Sequence, residues 1–235
     1  PPVPMATPSQ PLLQLPEASS VAQVAVMGFS AARANLTCRA LQLLRCAQWP
    51  GVRISSWSDE RIDAYVRAGY MSRPDRYRGG LGNVGLAMAH VSAWQLAASA
   101  PTGHRTLVME EDETVLQPAR VVSLLQNMSF DFDLLYLNAL RVRGVVDAAA
   151  PHNVLRATPH VVEPGRLSNN VWMGAYALTP RGARRLLGLL HGAPPDVSTL
   201  VLDVWTGTQV RSFDSGLDAF VWHQTNELFQ HGDER

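Results

Sequence analysis

The segment Val21 to Phe29 (VAQVAVMGF) is almost wholly apolar and rich in valine, and it narrows the fold more than any other part of the chain. Such a run reads as a buried strand. Ser30 to Ala47 follows with helical spacing, which puts Leu36, Ala40, Leu43 and Leu44 on one stripe. Val52 to Trp57 reads as a second strand. A β-α-β opening implies a parallel sheet built with right-handed crossovers. The 235 residues suit one large α/β domain, expected over 21–235. Residues 1–20, rich in Pro, Ser and Gln, read as a flexible lead-in.

The alternation continues downstream. Asp59 to Gly69 reads as a short helix, and Met71 to Gly82 as a polar loop rich in Arg and Gly. Gly85 to Ala100 reads as a helix carrying Met88, Val91, Trp94 and Leu96. Thr106 to Met109 is a short strand, Pro118 to Met128 a helix, and Phe132 to Leu140 and Val171 to Leu178 two further strands. Thr179-Pro180 opens a helix over Arg181 to Leu190, with threonine as its cap and proline in the first turn.

Composition removes several functions. With 46% apolar residues the chain can bury a sizeable core. A formal charge of zero argues against nucleic acid as a partner and against a polybasic membrane patch. Histidine aside, every basic residue is arginine, which excludes lysine Schiff-base chemistry and a Walker-type phosphate lysine. No run reaches the ~20 apolar residues of a membrane-spanning helix. Cys38 and Cys46, if both lie on the helix after the first strand, are roughly 12 Å apart along its axis, which predicts two buried thiols and no bridge. The compartment stays open between cytoplasm and the secretory lumen.

The strongest chemical feature is Leu107-Val108-Met109-Glu110-Glu111-Asp112. Three carboxylates directly after a buried strand repel one another unless a cation or solvent compensates. Ligands of open α/β sheets bind at the carboxyl ends of strands, where this cluster falls. Carboxylate oxygens suit Mg²⁺ or Mn²⁺, and in an extended segment Glu110 and Asp112 share a face. The plain alternative is a solvated turn.

The order of motifs around it is informative: Gly82-x-x-Gly85-x-x-x-x-His90-x-x-x-Trp94, the acidic strand end, Asp133-Leu134-Leu135-Tyr136-Leu137, then Ala175-Tyr176-Ala177-Leu178-Thr179-Pro180-Arg181-Gly182-Ala183, and Pro195-Asp196. This order resembles glycosyltransferase family 25, which includes bacterial lipooligosaccharide galactosyltransferases and procollagen galactosyltransferases. The resemblance covers about residues 22–200. The chain departs from the family pattern at Glu111, where the family has Asp, which moves a carboxylate outward by one methylene.

The resemblance implies a GT-A-like, Rossmann-type nucleotide-binding sheet flanked by helices in a single domain. It also implies a metal-dependent, inverting transfer of galactose or glucose from a UDP-sugar to a hydroxyl of a glycan or protein acceptor. Glu110 and Asp112 are the expected ligands of Mn²⁺ or Mg²⁺, with His223 a further candidate. Asp196, then Asp203, is the expected base for the acceptor hydroxyl, although Asp196 also suits a helix N-cap. Ser30, Arg33 and Trp57 are candidates for the nucleobase, and Arg78, Gly82, His90, Glu111 and Asn138 for the rest of the donor. Arg73 and Arg76 join Arg78 as arginines suited to phosphate. His90 reads equally as a buried, hydrogen-bonded structural residue.

Two other readings compete. A catalytically silent domain of the same fold would bind a nucleotide, a glycan or a partner protein. Gly80-x-Gly82-x-x-Gly85 fits a dinucleotide fingerprint, but Arg73 to Arg78 cannot be the buried strand that a fingerprint needs before it. Its glycines are expected instead in a tight turn.

Overall fold

In the computed structural model the described residues are 22–67, 80–128, 130–137, 156–158, 161–162, 173–192, 216–222 and 228–231. Residues 1–20, with the expected lead-in, lie outside them. The chain forms an α/β fold with a mixed, mostly parallel sheet flanked by helices. Its strands are β1 (Ala22–Gly28), β2 (Arg45–Pro50), β3 (Arg105–Glu110), β4 (Glu113–Val115), β5 (Leu134–Tyr136), β6 (Arg156–Thr158), β7 (Val161–Val162), β8 (Ala175–Leu178), β9 (Ala219–Trp222) and β10 (Phe229–His231). Its helices are α1 (Ala31–Ala40), α2 (Asp59–Arg67), α3 (Gly80–Ser99), α4 (Pro118–Asn127) and α5 (Pro180–Gly192).

Eight strands form the main sheet in the order β2-β1-β3-β8-β5-β9-β7-β6, and β4 pairs with β10 in a small second sheet. β2, β1 and β3 are parallel. β8 enters antiparallel between β3 and β5. β5 and β9 are again parallel.

Side chains alternate cleanly across the central strands, as a two-residue repeat requires. Ala25, Met27, Val108, Leu134, Tyr136, Tyr176 and Leu178 face α2, α3 and α5 in one core. Val24, Val26, Leu107, Met109, Leu135, Ala175 and Ala177 face α1 and α4 in the other. At the carboxyl end of β3 the same alternation aims Glu110 toward α3 and Glu111 toward α1.

Helix ends follow local chemistry. Ser30 caps α1 by accepting from Arg33 N at 3.3 Å. Thr179 Oγ1 caps α5 by accepting from Gly182 N at 3.1 Å, and Pro180 takes the first helical position, as expected. Arg105 donates to the carbonyls of Leu125 (2.6 Å) and Met128 (3.1 Å), closing the C-terminal end of α4.

Four expectations change. The first helix stops at Ala40, not Ala47, and the chain turns at Leu41 to Leu44 into β2. Leu36 and Leu43 are consequently 66% and 63% exposed, while Ala34, Thr37, Leu41 and Leu44 are the buried positions. The second strand is Arg45–Pro50; Ile54–Ser56 is a 3₁₀ turn. Because Cys46 sits on β2 and not on a continued helix, it comes within 5.3 Å (Cα–Cα) of Cys38 and the two form a disulfide. Finally, Gly80 to Gly85 make the first turns of α3, not a tight turn. A Cβ on Gly85 would overlap the Val52 carbonyl, so glycine lets the helix backbone approach that loop.

Candidate active site

The three carboxylates stand at the tip of β3, held by backbone hydrogen bonds on both sides. Glu110 N donates to Gly174 O at 2.8 Å, and Glu111 N donates to Met27 O at 2.8 Å. Glu110, Glu111 and Asp112 open onto a cleft of about 330 Å³, whose other walls include Phe29, Arg33, Arg53 and Gly82. The cleft is bounded by the β1–α1 junction, the segment after β2 and the start of α3. This is the strand-end position where open α/β sheets bind ligands.

Each carboxylate has a different environment. Glu110 is 21% exposed, and its Oε1 lies 3.4 Å from His90 Nε2. His90 is buried on α3, and its Nδ1 is 2.8 Å from the Tyr176 hydroxyl. Trp94, one helical turn after His90, donates its indole N–H to the same hydroxyl at 2.8 Å. Burial raises the Tyr176 pKa well above the ordinary tyrosine value of 10.0; the Trp94 bond opposes this and the Glu110 charge adds to it. A file of side chains thus runs from the buried Trp94, Tyr176 and His90 to the partly exposed Glu110. His90 reaches Glu110 from behind and is absent from the cleft wall.

Glu111 turns the other way. Its Oε2 accepts from Ser30 N at 2.5 Å, and its carboxyl group occupies the space beside Gly28 where a Cβ would stand. A carboxylate at the start of α1 is favoured by the positive end of the helix dipole. Ser30 therefore serves as helix cap and as the anchor of Glu111. Asp112 follows in the turn between β3 and β4 and lines the cleft.

The remaining candidates divide. Arg33 and Gly82 line the cleft. Trp57 does not: its ring packs on the α2–α3 core and carries the Arg61 guanidinium 3.9 Å above it. Arg73, Arg76, Arg78, Asn138, Asp196, Asp203 and His223 lie outside the described residues. Among the described residues no group of three or more His, Cys, Asp or Glu is arranged to hold a metal ion. Phe29 and Arg53 line the cleft and were not among the sequence candidates. Phe29 is 56% exposed at the cleft, rests on Gly51 and stands under the Arg53 guanidinium, 4.7 Å from the ring centroid. The signal was available, since a large aromatic ended an otherwise buried strand.

The opposite end of the sheet holds a hollow of about 180 Å³ bordered by Arg105, Arg181 and Arg184. Its cations are already committed. Arg181 binds Asp133 (2.6 Å), Asp131 (2.6 Å) and Asp218 (3.2 Å), and Arg184 donates to Ala98 O. Asp133 is buried and also receives Arg185 and, at 3.0 Å, the Asp218 N–H. This network fastens β5, α5 and the entry to β9.

No protein-family model matches the chain. No curated protein matches it in sequence. Among solved structures it is similar to a Drosophila beta-1,4-galactosyltransferase 7 mutant in complex with manganese, UDP-Gal and xylobiose. The TM-score is 0.38 at 14% identity, over 89% of this chain and 70% of that one.

Proposed function

We propose that this chain is a metal-dependent, inverting glycosyltransferase that moves a hexose, galactose or glucose, from a UDP-sugar to a hydroxyl of a glycan or protein. The observation that carries the reading is that Glu110 and Asp112 line one cleft at the carboxyl end of β3. Hard carboxylate oxygens are the donors that Mn²⁺ or Mg²⁺ prefers, and two of them beside room for phosphate is a common set for such ions. In this reading Glu110 and Asp112 hold the ion, and His223 is the third protein donor. Glu111 lines the same cleft, with its Oε2 accepting from Ser30 N–H. The ion would supply Lewis-acid neutralisation of the departing diphosphate.

The chain's own groups take the remaining roles. Arg33 reaches the cleft and suits phosphate oxygens. The exposed Phe29 ring is a platform for a uracil base, since every nucleobase has a face to stack. Asp196, with Asp203 second, is the proposed base that takes the acceptor proton. The resemblance of the motif order to glycosyltransferase family 25 supports the choice of UDP-hexose as donor.

The test is UDP release from a panel of UDP-sugars, with and without Mn²⁺, using the Glu110→Ala/Asp112→Ala double variant as blank. Mn²⁺-dependent release that vanishes in the double variant is expected. Equal release by both proteins refutes the metal assignment. The hydrogen bond that ties Glu111 Oε2 to Ser30 N–H favours one competing reading, a silent domain that binds nucleotide without transfer. UDP binding without release from any donor would establish that reading instead.

A further inference from the structure

We propose that Tyr176 is a positioning residue which, through His90, holds the Glu110 carboxylate at the rim of the cleft ready for a divalent cation. The inference rests on the metal-dependent reading above and adds to it a set of buried residues that never touch the ion. An indole N–H can only donate, so the Tyr176 hydroxyl accepts from Trp94 at 2.8 Å. The same hydroxyl lies 2.8 Å from His90 Nδ1. The other ring nitrogen, Nε2, faces Glu110 Oε1 at 3.4 Å.

The His90 ring is thus held between the Tyr176 hydroxyl on one side and the Glu110 carboxylate on the other. Trp94, Tyr176 and His90 are all buried, so water does not compete for these groups. His90 and Trp94 sit on successive turns of α3, Tyr176 on β8 and Glu110 at the end of β3, so three separate elements must agree for the file to close. Nothing in glycosidic chemistry requires a buried tyrosine here. A carboxylate ligand that must keep one rotamer does require a partner behind it, and the groups behind metal ligands commonly set affinity.

The test is Mn²⁺ binding at saturating UDP, followed by electron paramagnetic resonance, in the unaltered protein, Tyr176→Phe, His90→Gln and Glu110→Ala. Tyr176→Phe and His90→Gln are expected to weaken Mn²⁺ by roughly 10-fold or more. Affinity within twofold of the unaltered protein in both folded variants, while Glu110→Ala loses binding, overturns the positioning role alone. If the unaltered protein binds no Mn²⁺ with UDP, the metal reading falls and this proposal falls with it.

Discussion

Gly28 and Glu111 leave no room for a methyl group between them: a Cβ on Gly28 would overlap the Glu111 carboxyl group. The Glu111 carboxylate can lie over β1 and reach Ser30 N–H only because position 28 has no side chain. Gly28→Ala is expected to expel Glu111 from that bond and destabilise the fold by about 1–3 kcal/mol. Adding Glu111→Ala should recover part of the loss, because the clash then has no second party. A double-mutant cycle in denaturant reads the coupling; strictly additive losses would show that the two residues act independently.

Two glycines of α5 should respond in opposite senses. A Cβ on Gly182 would overlap the backbone carbonyl of Asp133, which cannot swing away as a side chain can. Gly182→Ala is expected to cost about 3 kcal/mol or more. Gly188 is exposed on the same helix with nothing near its Cα hydrogen. Gly188→Ala should stabilise by about 0.5–1 kcal/mol through helix propensity and a less flexible unfolded chain. Melting temperatures of the two variants, one lowered and one raised, check this pair.

The buried Tyr176 predicts an alkaline limit to stability. Its folded pKa is raised well above 10.0, chiefly by burial, so the folded state keeps the phenolic proton more tightly than the unfolded state does. The resulting stability is fully present below the unfolded tyrosine pKa of about 10 and is lost as pH rises beyond it. Thermal unfolding between pH 8 and 11 should show this decline. Tyr176→Phe should start less stable yet decline less steeply; an unchanged slope would contradict the assignment.

The Cys38–Cys46 disulfide closes a short loop between α1 and β2. A cross-link of that span is worth about 2.5 kcal/mol by loop-entropy arguments. Reduction with dithiothreitol should lower the melting temperature by roughly 5–10 °C for a chain of this size. Cys38→Ser/Cys46→Ser should melt at the reduced value and ignore the reductant. A melting temperature indifferent to reduction would mean that the bridge contributes nothing.

Much of this molecule could be read directly from its residues, and the failures have physical causes. β1, β3 and β8 were legible because strands buried on both faces must be continuously apolar. β2 was not, because it lies at the edge of the sheet and buries only Cys46 and Trp49 fully; Arg45 and Gln48 break the apolar run. Moving that strand seven residues earlier is also what brought the cysteines together. The glycines of α3 misled because glycine disfavours helices on its own, whereas here a close packing contact at Val52 demands it. In the cleft, Glu110, Asp112, Arg33 and Gly82 were legible as strand-end or motif residues. The linkage of His90 to Tyr176, 86 positions apart, was not, since no local pattern encodes which buried groups will meet.

The reversal of β8 has a consequence for where the chain can vary. At β1 and β3, the chain borders the cleft as it leaves the strand. β8 runs the other way: it begins beside Glu110, whose N–H donates to Gly174 O, and exits at the opposite pole, where Thr179 N meets Asp133 O at 3.2 Å. Insertions directly after Leu178 would therefore disturb the anchoring ion network. Sequence polarity along this single strand ties its entry to the carboxylate tip and its exit to the arginine–aspartate anchor.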